Sequence, residues 1–92
     1  MCAPANISTI IKLIHTVNAE LSTLPFKQRV ERAREALRII YQKYCVEDGY
    51  IKVTFTNKHG EKHITRIEVY VDYTSNFSPL LAIRYPYLLI PK

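Results

Sequence analysis

Tyr50-Ile51-Lys52-Val53-Thr54-Phe55-Thr56 alternates apolar and polar residues without a break. A period of two is the signature of a strand with one buried and one exposed face. Ile51, Val53 and Phe55 point one way, and Tyr50, Lys52, Thr54 and Thr56 point the other. Asn57-Lys58-His59-Gly60-Glu61 follows as a hairpin turn, with Gly60 supplying the positive φ. The return strand, about 62–73, carries Ile67, Val69, Val71 and Tyr73 inward. Ile64, Arg66, Glu68, Tyr70 and Asp72 then face outward. Ile64 has the wrong parity for an apolar residue, which predicts a bulge near Thr65.

Upstream of this hairpin the period is helical. Ile7, Ile10, Ile11, Ile14, Val17 and Leu21 form an i, i+3, i+4, i+7 stripe, and Asn6 stands where a first-turn cap belongs. Ser22-Thr23-Leu24-Pro25 breaks the pattern, with Ser22 or Thr23 as the next cap and Pro25 in the first turn. A second helix over about 25–45 places Phe26, Val30, Ala33, Leu37, Ile40, Tyr41 and Tyr44 within a sector of about 100°. Arg29, Arg32 and Lys43 make one basic flank, and Lys27, Arg34 and Arg38 the other. Ile39 faces directly away from the stripe. Glu47-Asp48-Gly49 reads as the helix end, with Gly49 in a left-handed stop.

Downstream, 74–79 is a loop and 80–85 a third strand with Leu81, Ile83 and Tyr85 inward. Pro86 and Pro91 bracket the apolar stretch Tyr87-Leu88-Leu89-Ile90 and exclude it from a central strand. The predicted fold is α+β and two-layer. Two N-terminal helices pack on a three-stranded antiparallel sheet in the order ααβββ, with a 1-2-3 meander as the first topology. Residues 1–92 make one domain, with 1–5 and 91–92 frayed.

Length and charge narrow the function. Ninety-two residues hold one small core. No apolar run reaches the roughly 18 residues of a membrane span, so no membrane role is expected. Residues 1–6 lack a basic segment and a long apolar segment, which predicts a cytoplasmic protein without a signal peptide. In a reducing compartment Cys2 and Cys45 are expected as thiols. The formal charge of +5 fits an acidic partner.

The chemistry-bearing residues are sparse. His59 and His63 flank a glycine turn and read as a solvated hairpin tip, with no CxxC or HExxH spacing, so no metal is expected. No GxSxG, no glycine-rich phosphate loop and no close pair of catalytic carboxylates is present, so the reading is no enzyme and no cofactor.

Surfaces are more informative. Tyr50, Lys52, Arg66, Tyr70 and Arg84 share the outer sheet face, where rings and cations together make a stacking platform with phosphate anchors. Arg29, Arg32, Arg38 and Lys43 offer a second basic surface on the helix, with 58–62 as a wing in the outline of a winged helix-turn-helix. Ile39, Leu88, Leu89 and Ile90 are surplus apolar groups, which predicts self-association as a homodimer. The expected function is a small binding protein whose basic surfaces engage nucleic acid or an acidic protein. The alternative is a protein–protein or inhibitory accessory module without nucleic-acid affinity, of the kind found in viruses or archaea.

Overall fold

A computed structural model describes residues 3–73 and 79–85 of the chain. The order is β1 (Ala5–Asn6), α1 (Ile7–Leu21), α2 (Phe26–Lys43), β2 (Val46–Glu47), β3 (Tyr50–Thr56), β4 (Lys62–Asp72) and β5 (Leu80–Arg84). Two helices lie on a mixed sheet of order β1-β3-β4-β5, with β2 also pairing β3. The sheet is therefore not the three antiparallel strands expected. β1 runs parallel to β3 ahead of the helices, and β2 enters between α2 and β3.

Asn6 caps α1 as the sequence implies, its side chain accepting from the Ser8 N–H at 2.8 Å. The second cap differs. Ser22 and Thr23 turn their hydroxyls back to the carbonyls of Ala19 and Glu20, and Pro25 stands at the N-cap of α2 without a side-chain bond. The helix ends at Lys43, and Tyr44 is already extended. Asp48 and Gly49 both have positive φ, 54° and 84°. That pair is the two-residue turn of a β2–β3 hairpin, not a helix stop.

The core joins Ile10, Ile14, Val17 and Leu21 of α1 with Ala33, Ala36 and Ile40 of α2 and with Ile51, Val53, Ile67, Val69 and Leu81 of the sheet. Strand parity places these as the alternation predicts. Phe26, the first residue of α2, does not join them and is 64% exposed. Tyr73 and Tyr85, read as inward, are also exposed.

The β3–β4 register is unbroken from Ile51↔Ile67 to Thr56↔Lys62. No bulge shifts Ile64, which faces outward opposite Thr54 and is 60% exposed. Asn57 builds the hairpin tip: its Oδ1 accepts from the amides of His59 and Glu61, both at 2.9 Å. Cys45 is buried and disulfide-bonded, which overturns the expected free thiol, and its Sγ lies 3.2 Å from the Ala3 carbonyl oxygen. Cys2 lies outside the described residues.

Candidate functional site

α2 carries six cations against two carboxylates, and its packing sorts them. The buried stripe and the contact with α1 leave two flanks. On the α1 side, Arg29 donates from Nε to the Leu24 carbonyl and from Nη2 to the Ser22 carbonyl at 3.3 Å. Arg32 pairs with Glu20 of α1 at 2.9 Å and with Glu35 at 3.5 Å. The Glu20 hydrogen bond raises the Arg32 pKa, so this guanidinium is held in its charged form. Arg32 thus ties α2 to α1, and Arg29 ties it to the connection between the two helices. Lys43 lies 5.5 Å above the Tyr44 ring.

The other flank differs. Lys27, Arg34 and Arg38 recur at helical spacing within about 40° of one another and span about 16 Å of the axis. All three are exposed, and no carboxylate pairs with any of them among the described residues. Arg34 donates from Nε to the Tyr73 hydroxyl at 3.3 Å. Glu31 borders the row and lowers its formal charge from +3 to +2. The sequence shows this row as a flank, but Arg29 and Arg32 carry equal formal charge and only the cross-helix partner Glu20 distinguishes them.

The outer sheet face does bring Tyr50, Lys52, Arg66, Tyr70 and Arg84 together, with acids interleaved. Lys52 and Arg66 are direct cross-strand neighbours of like charge. Glu47, delivered by β2, accepts from both, at 3.3 and 3.5 Å, and Asp48 adds a second contact to Arg66 at 3.5 Å. Arg84 pairs with its cross-strand partner Glu68 at 3.0 Å and lies 4.6 Å above the Tyr70 ring. A phosphate on this face displaces a carboxylate at each cation, and a base reaching Tyr70 meets Arg84 first.

The remaining candidates are placed as follows. Ile39 is 45% exposed on the solvent side of α2. Leu88, Leu89 and Ile90 lie outside the described residues. His63 stacks on Phe55 with ring centroids 5.3 Å apart, and its Nε2 is 3.2 Å from Asn57 Nδ2. Among the described residues no group of three or more His, Cys, Asp or Glu side chains is placed to hold a metal ion. No helix among them is long and apolar enough to cross a membrane. A shallow, open depression of about 240 Å³ is lined by Pro4, Cys45, Val46, Glu47 and Lys52. No protein-family model, no curated protein and no solved structure matches the chain.

Proposed function

We propose that this is a non-enzymatic binding protein that engages a polyanion, the phosphate backbone of a nucleic acid, through the Lys27, Arg34 and Arg38 flank of α2. One observation supports the reading above the others: among the described residues these three exposed cations have no carboxylate partner, whereas Lys52, Arg66 and Arg84 of the sheet face and Arg32 on the α1 side each have one. An unpaired cation gives up only water and counterions to a phosphate, and the released counterions drive association. The row lies on one helix of one copy, so the reading is indifferent to oligomeric state.

Charge reversal tests it. The set Lys27→Glu, Arg34→Glu, Arg38→Glu is compared with the set Lys52→Glu, Arg66→Glu, Arg84→Glu in gel shifts against a mixed-sequence oligonucleotide. The α2 set abolishes retardation while circular dichroism stays unchanged. In a salt titration of the wild type, three phosphate contacts give a slope of log affinity against log salt of roughly −2 to −3. Absence of retardation by the wild type at low salt refutes the nucleic-acid reading and leaves an acidic protein as the ligand class to assay.

A further inference from the structure

The open flank of α2 has two unlike borders. At about 100° per residue, Glu31 stands about 40° from the centre of the Lys27, Arg34 and Arg38 row on one side. On the other side, the one that carries Tyr41 to β4, the half-buried Tyr41, Val30 and Leu37 follow at about 40–80° and Phe26 at about 100°. One border thus holds a carboxylate, and the other is largely apolar.

β4 adds a ring to the apolar border. Tyr41 reaches Val69 and Arg34 reaches Tyr73, so α2 and the end of β4 run in opposite directions. Seven residues of helix advance about 10 Å and four of extended strand about 13 Å, so the two contacts keep step. Tyr73 is brought alongside Arg34 on the helix side of the sheet, with its hydroxyl 3.3 Å from Nε. Tyr73 is 53% exposed, and Phe26, the neighbour of Lys27, is 64% exposed. Tyr70 on the outer face is different, because the Arg84 guanidinium lies over its ring.

We propose that this flank binds single-stranded nucleic acid, with the backbone along the cation row and the bases turned toward the sheet, where Tyr73 and Phe26 offer rings to stack on. The inference rests on the polyanion reading and goes further by naming the form of the ligand. Glu31 repels a phosphate chain displaced to its side, which sets the backbone over the row and the bases on the opposite border. A base in a duplex is already stacked between its neighbours, so a protein ring gains it only from an unpaired strand.

Charge alone gives the opposite order. Each phosphate neutralised releases more counterion from a duplex than from a single strand, with slopes of about −0.9 and −0.7 per contact. A row of cations without rings therefore favours the duplex at low salt. Preference for the single strand requires contacts to the bases.

Fluorescence anisotropy at low salt tests this on the full chain, with a labelled mixed-sequence DNA strand of about 12 nucleotides, alone and annealed to its complement. The wild type is expected to bind the single strand about fivefold or more tighter than the duplex. Tyr73→Leu is expected to lower single-strand affinity about fivefold or more and to leave duplex affinity unchanged, and Phe26→Leu added to it deepens the loss. Tyr73→Phe keeps the ring and removes the hydroxyl bond to Arg34, and is expected to stay within about twofold of the wild type. A loss in Tyr73→Phe as large as in Tyr73→Leu assigns the residue to positioning Arg34 and overturns the stacking. Equal binding of both forms by the wild type, or unchanged single-strand affinity in Tyr73→Leu, overturns the proposal and leaves the polyanion reading standing. Binding of neither form refutes both.

Discussion

Tyr41→Phe deletes one oxygen and leaves Val69 with nothing to replace it. The Tyr41 hydroxyl donates to the Val69 carbonyl and accepts from the Val69 N–H, each at 3.0 Å. Val69 is 2% exposed, so bulk water does not reach its backbone. Two net hydrogen bonds contribute about 1 kcal/mol each, and stranding a buried donor costs about 1–3 kcal/mol beyond an exposed one. Allowing for partial relaxation, the substitution is expected to cost about 2–4 kcal/mol, against a total of about 5–14 kcal/mol for a chain of this length.

Urea denaturation followed by circular dichroism reads this as a lower midpoint at an unchanged slope. The same hydroxyl carries a pH signature. Burial raises the Tyr41 pKa above the usual value near 10, with the Val69 backbone bond acting in the opposite direction. The folded protein therefore keeps this proton longer than the unfolded chain. The linked stability is whole below about pH 10 and is lost as the pH rises through the folded value. The six other tyrosines are common to both proteins, so the difference between wild type and variant isolates Tyr41. A variant within about 0.5 kcal/mol of the wild type at neutral pH refutes the role assigned to this hydroxyl.

Val53→Asp buries an unpaired charge at a fully buried position and is expected to unfold the domain, whereas the outward Thr54→Asp costs under about 1 kcal/mol; equal damage from both, read by thermal melts, contradicts a sheet covered on one face. Reducing the Cys45 disulfide with excess thiol is expected to lower the urea midpoint by the equivalent of about 2–4 kcal/mol, and an unchanged midpoint after confirmed reduction shows that the bond does not constrain the fold.

The helices and the two faces of β3, β4 and β5 were legible because their signals are local. Residues three or four apart decide a helical stripe, residues two apart decide a strand face, and Asn6 bonds an amide two residues away. β1 and β2 were not legible. Each is two residues long, too short for any period, and each exists because β3 has an open side. The Lys52 N–H finds the Cys45 carbonyl there at 2.9 Å. Asp48-Gly49 was ambiguous for a physical reason, since a helix stop and a tight hairpin both use left-handed backbone. The candidate site failed in the sequence on pairing. Arg32 and Glu20 are twelve residues apart and on different helices, and the acids that neutralise Lys52 and Arg66 arrive on a strand without a sequence signature.

The backbone groups of Leu81, on the outer side of β5, and of Val69, beyond the last β3 rung, have no strand to bond among the described residues, and each helix answers one of them with a polar side chain from beside its apolar stripe. Asn18 of α1 supplies a carboxamide to Leu81, matching one donor and one acceptor as a further strand would. Tyr41 of α2 does the same for Val69 with a single hydroxyl. These bonds do more than satisfy the sheet. An apolar stripe tolerates rotation of its helix, because burial is not directional, whereas a hydroxyl 3.0 Å from two backbone atoms does not. Tyr41 therefore fixes the rotation of α2 about its own axis. Arg38 and Arg34 precede it by three and seven residues, on the same flank, so they are carried to the solvent side together with Lys27. The opposite flank is turned with the same precision onto α1 and the connection after it, where Glu20 and the carbonyls of Ser22 and Leu24 receive Arg32 and Arg29. The division of one basic helix into a bonded flank and an open one thus follows from the hydrogen bonds that complete the sheet beneath it.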